Sequence, residues 1–123
     1  MKVLLVEDDK DLAEMYSLQL RHGKHQVRVA GDAQSALDVL DKFAAEIIVL
    51  DIMLPGHNGL SILYELRSYS DWRKIPVIVL SNISIEELGI SRGGMQALGI
   101  KQYLDKTHTR AKQLLDALAA ATA

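Results

Sequence analysis

The sequence predicts an open α/β sheet of five parallel strands with helices on both faces, and three observations carry that reading. Short, mostly apolar runs rich in Val and Ile alternate with stretches of helical periodicity, the pattern of strands buried on both sides. The runs that end in Glu7, Asp51 and Ser81, together with the one followed by Asp105 and Lys106, bring polar groups to the strand ends, where sheets of this kind place their chemistry. The chain has 123 residues, 49% of them hydrophobic, which suits one core and one domain.

The elements follow in order. A strand over 2–7 contains Val3, Leu4, Leu5 and Val6 and ends in the acids Glu7, Asp8 and Asp9. A helix over 10–22 carries Leu12, Met15, Tyr16 and Leu20, and Asp9 before it has the chemistry of an N-cap as well as that of a site acid. A second strand spans 25–30, and a helix over 33–43 follows Asp32, another capping residue, with Ala36, Leu37, Leu40 and Phe43 on one stripe. The third strand, 46–51, runs through Ile47, Ile48, Val49 and Leu50 into Asp51, and Leu54-Pro55-Gly56 signals a turn beyond it. Leu60, Leu63 and Leu66 mark a helix over 59–69. The fourth strand, 76–81, ends in the hydroxyl of Ser81. Gly89, Gly93, Gly94 and Gly99 follow; glycine costs up to about 1 kcal/mol per helical position, so the next helix should be short, shifted or mobile. A fifth strand at 100–104 precedes Asp105 and Lys106, and a last helix over 108–120 buries Leu114, Leu115 and Leu118. The closing run from Ala119 to Ala123 reads as a fraying helix end or the stub of a linker.

Composition removes several classes of function. A formal charge of −2 gives no basic footprint for direct nucleic-acid binding. The chain lacks cysteine, so disulfides and thiolate metal sites are excluded. No apolar run approaches the roughly 20 residues that cross a bilayer, and the acids at 7–9 cut short any signal peptide. The expected setting is the cytoplasm, away from membranes.

Three or four carboxylates brought to one sheet edge ask for a cation, and oxygen-only ligands suit Mg²⁺. With Ser81 and Lys106 added, the set resembles the receiver domain of bacterial response regulators, through Leu5-Val6-Glu7-Asp8-Asp9, Leu50-Asp51-Ile52-Met53-Leu54-Pro55-Gly56, Val79-Leu80-Ser81 and Tyr103-Leu104-Asp105-Lys106. The resemblance extends over essentially the whole chain, so 1–123 is expected to be a single receiver domain. It implies a flavodoxin-like (βα)5 doubly wound sandwich with strand order 2-1-3-4-5, an order for which the chemotaxis receiver is a standard example. It also implies that Asp51 accepts a phosphoryl group from a phosphohistidine on a sensor histidine kinase or a histidine phosphotransfer protein. Asp8 and Asp51 would bind the metal directly, Glu7 through water and Met53 through its backbone carbonyl. Ser81 and Lys106 would hold phosphoryl oxygens, and Ser81 with Tyr103 would form the switch that passes the change to a downstream partner or an output domain. The chain would then be a signalling domain that catalyses only its own phosphorylation and dephosphorylation.

Two other functions fit parts of the pattern. A phosphatase that passes through aspartyl phosphate would need a cap or a second acid just after Asp51, where Ile52 and Met53 stand. A degenerate receiver acting as a phosphorylation-independent interaction module would not need the full set of Glu7, Asp8, Asp51, Ser81 and Lys106. His57 is assigned no role, and His22 and His25, with Arg21 and Lys24, read as a solvated turn around Gly23. The chain departs from the receiver pattern at Thr107, where proline is usual, and at Asn82, where a small residue is usual. From Ser81 to Lys106 it is also roughly three residues long. A non-proline cis bond costs about 2.5–4 kcal/mol, so the bond between Lys106 and Thr107 should be trans, leaving Thr107 or Thr109 to cap the last helix.

Overall fold

Val3, Leu4, Leu5 and Val6 are all buried, and alternate residues feed two different cores, as the period of two in a strand requires. In the computed structural model, which describes residues 1–54 and 57–122 without the side chains of Leu54, His57 and Asn58, these residues form the strand β1 (Lys2–Val6). Val3 and Leu5 meet Tyr16, Leu20, Leu114 and Leu118 on one face. Leu4 and Val6 meet Ala36, Leu40, Leu63 and Leu66 on the other.

β2 (Gln26–Ala30), β3 (Ile47–Leu50), β6 (Val77–Ser81) and β7 (Ile100–Asp105) complete a five-stranded sheet in the order β2-β1-β3-β6-β7, every pairing parallel. This is the predicted order 2-1-3-4-5. β4 (Met53–Leu54) and β5 (His57–Asn58) form a short antiparallel ladder beyond β3. Pro55 and Gly56, the centre of the predicted turn, lie outside the described residues.

The helices α1 (Lys10–His22), α2 (Ala33–Lys42) and α3 (Gly59–Ser68) lie close to their predicted bounds. Asp9 caps α1 by accepting the amides of Asp11 and Leu12, both at 3.0 Å. Asp32 caps α2 through Ser35 at 2.8 Å. The buried flank of α1 differs from expectation: Ala13 and Ser17 face inward with Tyr16 and Leu20, while Met15 is exposed. At 3.6 residues per turn Met15 points away from the line through 13, 17 and 20.

The glycine-rich stretch divides into α4 (Ile85–Leu88) and α5 (Arg92–Ala97), each opened by a serine. Ser84 accepts the amide of Glu87 at 3.1 Å and Ser91 that of Gly94 at 3.0 Å. Gly89 ends α4 in the left-handed region at φ 74°, a conformation that glycine adopts without steric cost. Under this stretch the Arg67 side chain donates to the carbonyls of Leu98 at 2.8 Å and Ile75 at 2.9 Å, and burial lowers its pKa.

The last helix, α6 (Ala111–Ala121), starts three residues later than predicted. Neither threonine caps it; the Arg110 amide donates to Gln113 Oε1 at 2.7 Å instead. Residues 107–109 are unavailable because they fold onto Asp105, whose side chain accepts the Thr107 amide at 2.8 Å and whose carbonyl accepts the amides of His108 and Thr109. Leu114 and Leu118 are buried, while Leu115 is half-buried and packs against the second core. The described residues contain no cis peptide, so the bond between Lys106 and Thr107 is trans.

Candidate functional site

The parallel register sets the C-terminal ends of β1, β3, β6 and β7 side by side. Backbone bonds extend the ladders into the residues that follow: the Glu7 amide donates to Ala30 O at 2.9 Å, that of Asp51 to Val6 O at 3.0 Å, and that of Lys106 to Ser81 O at 3.1 Å. Glu7, Asp8, Asp51, Ser81 and Lys106 thereby gather at one edge, as predicted from their positions after apolar runs.

Asp51 is buried, and both of its carboxylate oxygens are engaged. Oδ1 accepts the Met53 amide at 2.9 Å and the Ser81 hydroxyl at 3.0 Å. Oδ2 pairs with Lys106 Nζ at 2.6 Å. The same ammonium also pairs with Glu7 Oε1, while Glu7 Oε2 accepts the Asp9 amide at 3.2 Å. Lys106 therefore bridges the two buried acids. Asp8 is exposed beside them, and Glu7, Asp8 and Asp51 each offer an oxygen within 4.8 Å of the others. The Met53 side chain is exposed.

Burial raises the pKa of Glu7, helped by the charge of Asp51; Lys106 and the Asp9 amide pull it down without reversing the shift. Burial lowers that of Lys106, but its bonds to Asp51 and Glu7 outweigh burial and leave it raised. The Lys106 ammonium faces two carboxylates and stays charged, and Glu7 is the acid whose burial it offsets only in part. An acid only partly compensated by Lys106, beside two more carboxylates that are all oxygen donors, fits a hard divalent cation.

Tyr103 is half-buried on β7, and its hydroxyl donates to the Ile83 carbonyl at 2.7 Å, two residues beyond Ser81. Burial raises its pKa, with contributions from Asp51, Glu87 and Glu86. A groove of about 500 Å³ opens beside Glu7 and Asp8 between α1 and β2, lined by Leu18 and Arg21 among others.

The sequence matches the response regulator receiver domain over residues 3–119. This chain belongs to that family. The receiver is 37% identical over 95 residues to the probable transcriptional regulatory protein TcrX of Mycobacterium tuberculosis, covering 75% of this chain and 40% of the relative. Its fold matches the crystal structure of a sensor protein from Polaromonas sp. JS666 with a TM-score of 0.89 at 26% identity, over 98% of this receiver and 94% of that chain. The chemotaxis response regulator CheY4 of Vibrio cholerae superposes with a TM-score of 0.84 at 25% identity, over 98% and 97% of the two chains. The receiver spans less than half the length of the curated relatives it matches, 40% of TcrX and 46% of the sensory transduction protein RegX3 of Mycolicibacterium smegmatis. The family is one of signalling domains, and no helix among the described residues is long and apolar enough to cross a membrane.

Proposed function

We propose that this receiver takes a phosphoryl group from a phosphohistidine onto Asp51 and passes the change on through the face built by β6 and β7. The observation that supports this most is the convergence on one buried carboxylate: Met53, Ser81 and Lys106 all contact Asp51, and Glu7 and Asp8 lie beside it. An oxygen of Asp51 attacks phosphorus, the bond from phosphorus to the donor imidazole breaks, and the imidazole leaves with its electron pair. Mg²⁺, when bound, offsets the negative charge shared by the phosphoryl oxygens and the acids. Asp8 and Asp51 would hold it directly, Glu7 through water and Met53 through its carbonyl.

Ser81 and Lys106 already aim their donors at Asp51, so each needs only a small movement to reach a phosphoryl oxygen. Lys106 leaves Asp51 Oδ2 for the new group, while the Ser81 hydroxyl leaves Oδ1. The donor would be a sensor histidine kinase or a histidine phosphotransfer protein, and the exposed apolar residues Leu18 and Val29 beside the groove offer it a surface. A downstream protein or an output domain would read the outcome.

Incubation with acetyl phosphate, with and without Mg²⁺, followed by intact-mass measurement tests the reading. One acid-labile phosphoryl group is expected on the wild type in Mg²⁺ and none on Asp51→Asn. Modification of the Asn variant at the wild-type rate would remove Asp51 from this role.

A further inference from the structure

Thr107 and Asn82 are the two positions where the chain departs from the receiver pattern beside the site, and in the structure they touch. The Thr107 hydroxyl donates to Asn82 Oδ1 at 3.3 Å, joining the loop after β7 to the loop after β6. Each is the immediate neighbour of a residue at Asp51: Asn82 follows Ser81, and Thr107 follows Lys106. The Thr107 amide is held as well, by Asp105 Oδ1 at 2.8 Å. A proline at 107 would have no such N–H to offer. On its other side Lys106 is fixed by its own amide to Ser81 O at 3.1 Å.

We propose that Asp105, Thr107 and Asn82 form a polar clasp that positions Lys106 for the phosphoryl group, a role that rests on Asp51 being the phosphoacceptor. A proline ring restricts the backbone by fixing φ; here hydrogen bonds across two loops restrict it instead. The lysine side chain has four flexible carbons, so the placement of its ammonium depends on where its backbone is anchored. Asp105, Thr107 and Asn82 are positioning residues that act through Lys106.

The test compares Thr107→Val, which keeps the shape and loses the hydroxyl, with Thr107→Ser, which keeps the hydroxyl. Phosphoryl gain from acetyl phosphate in Mg²⁺ is followed over a range of donor concentrations. The Val variant should lose maximal rate on the order of tenfold, short of the roughly 100-fold that a 1 Å misplacement can cost, with the half-saturating donor concentration unchanged. The Ser variant should recover the wild-type rate. Asn82→Ala breaks the same bond from the other side, so the double variant with Thr107→Val should be no slower than Thr107→Val alone. A Val variant as fast as wild type, or a Ser variant as slow as Val, overturns the clasp and leaves the Asp51 reading standing. A wild-type chain that gains no phosphoryl group overturns both.

Discussion

Lys106 Nζ lies 2.6 Å from Asp51 Oδ2 and also contacts Glu7, so an ammonium of the chain itself bridges the two buried acids. The side chains of Lys106 and Asp51 are 8% and 6% exposed, which places the pair in a region of weak screening. Removing one partner of such a pair leaves an uncompensated buried charge, at a typical cost of about 3–5 kcal/mol. A divalent cation bound by the same acids would share their charge with this lysine.

That competition gives the first prediction. Lys106→Gln should be less stable than wild type in EDTA and should gain more from Mg²⁺, because its acids have lost their internal cation. A ligand that binds only the folded state stabilises it by about 2.7 kcal/mol at 100 times its Kd. Melting curves of both proteins across millimolar Mg²⁺ provide the measurement. Equal shifts in the two proteins would mean that the lysine and the metal do not share the acids, and no shift in either would count against the metal site.

The second prediction concerns pH and Glu7. Its folded pKa is raised, principally by burial, so the folded state binds the proton more tightly than the unfolded chain. The resulting stability is fully present below the ordinary value of 4.5 and is lost as pH rises through the raised value. In EDTA, Glu7→Gln should therefore show a flatter dependence of unfolding free energy on pH in that window. Lys106 contributes with the same sign in the alkaline range, its stability being lost as pH climbs through its raised value above 10.5. Urea titrations at a series of pH values check both; a steeper acid-range slope in the Gln variant would reverse the assignment for Glu7.

Much of this arrangement is legible in the sequence because its main determinants are local. An apolar run followed by a polar residue marks Glu7, Asp51 and Ser81 as strand ends, and an aspartate before a helical stripe marks Asp9 and Asp32 as caps. The serine cap of α4 is legible too, since Ser84 followed at three residues by Glu87 is a helix-start signature; Ser91, followed at three residues by Gly94, carries no such signal. Other features depend on distant segments. Arg67 is held by the Leu98 and Ile75 carbonyls, and backbone partners leave no trace in a side-chain pattern. The bridge from Lys106 to Glu7 and the contact of Thr107 with Asn82 require the sheet order before they can be seen. Met15, expected on the buried stripe, is exposed and Ser17 is buried because a helical stripe does not fix which flank turns inward.

Tyr103 supplies the third prediction. Its hydroxyl bond to the Ile83 carbonyl at 2.7 Å ties β7 to the loop that leads from Ser81 into α4. Tyr103→Phe should lose about 1 kcal/mol of local stability, the usual net value of a hydrogen bond, and should speed amide exchange chiefly within 82–104. The same segment should respond most when a phosphoryl mimic is added, since Ser81 sits at its start. Exchange changes confined to α1 and α2 would mean that the signal leaves the site by another route.

The fourth prediction uses two glycines that differ in their surroundings. A Cβ on Gly59 would lie 2.7 Å from Ile52 Cα and 3.0 Å from the carbonyl oxygens of Asp51 and Ile52, and all three obstacles are backbone atoms. The Gly59 amide also donates to Ile52 O at 2.7 Å, so the two segments cannot separate without losing that bond. Gly59→Ala should displace the chain just after Asp51, costing about 1–3 kcal/mol as overpacking and disturbing the bond from the Met53 amide to Asp51 Oδ1. Gly89, at φ 74°, has nothing within 4 Å of its Cβ position; Gly89→Ala should cost about 1–2 kcal/mol of backbone strain and touch no site residue. The pair thus separates stability from chemistry. Both variants should melt earlier than wild type, but only Gly59→Ala should slow phosphoryl gain at a temperature where all three proteins are folded. Equal rates for the two variants would show that the close approach of Gly59 to Ile52 does not hold the Asp51 carboxylate in place.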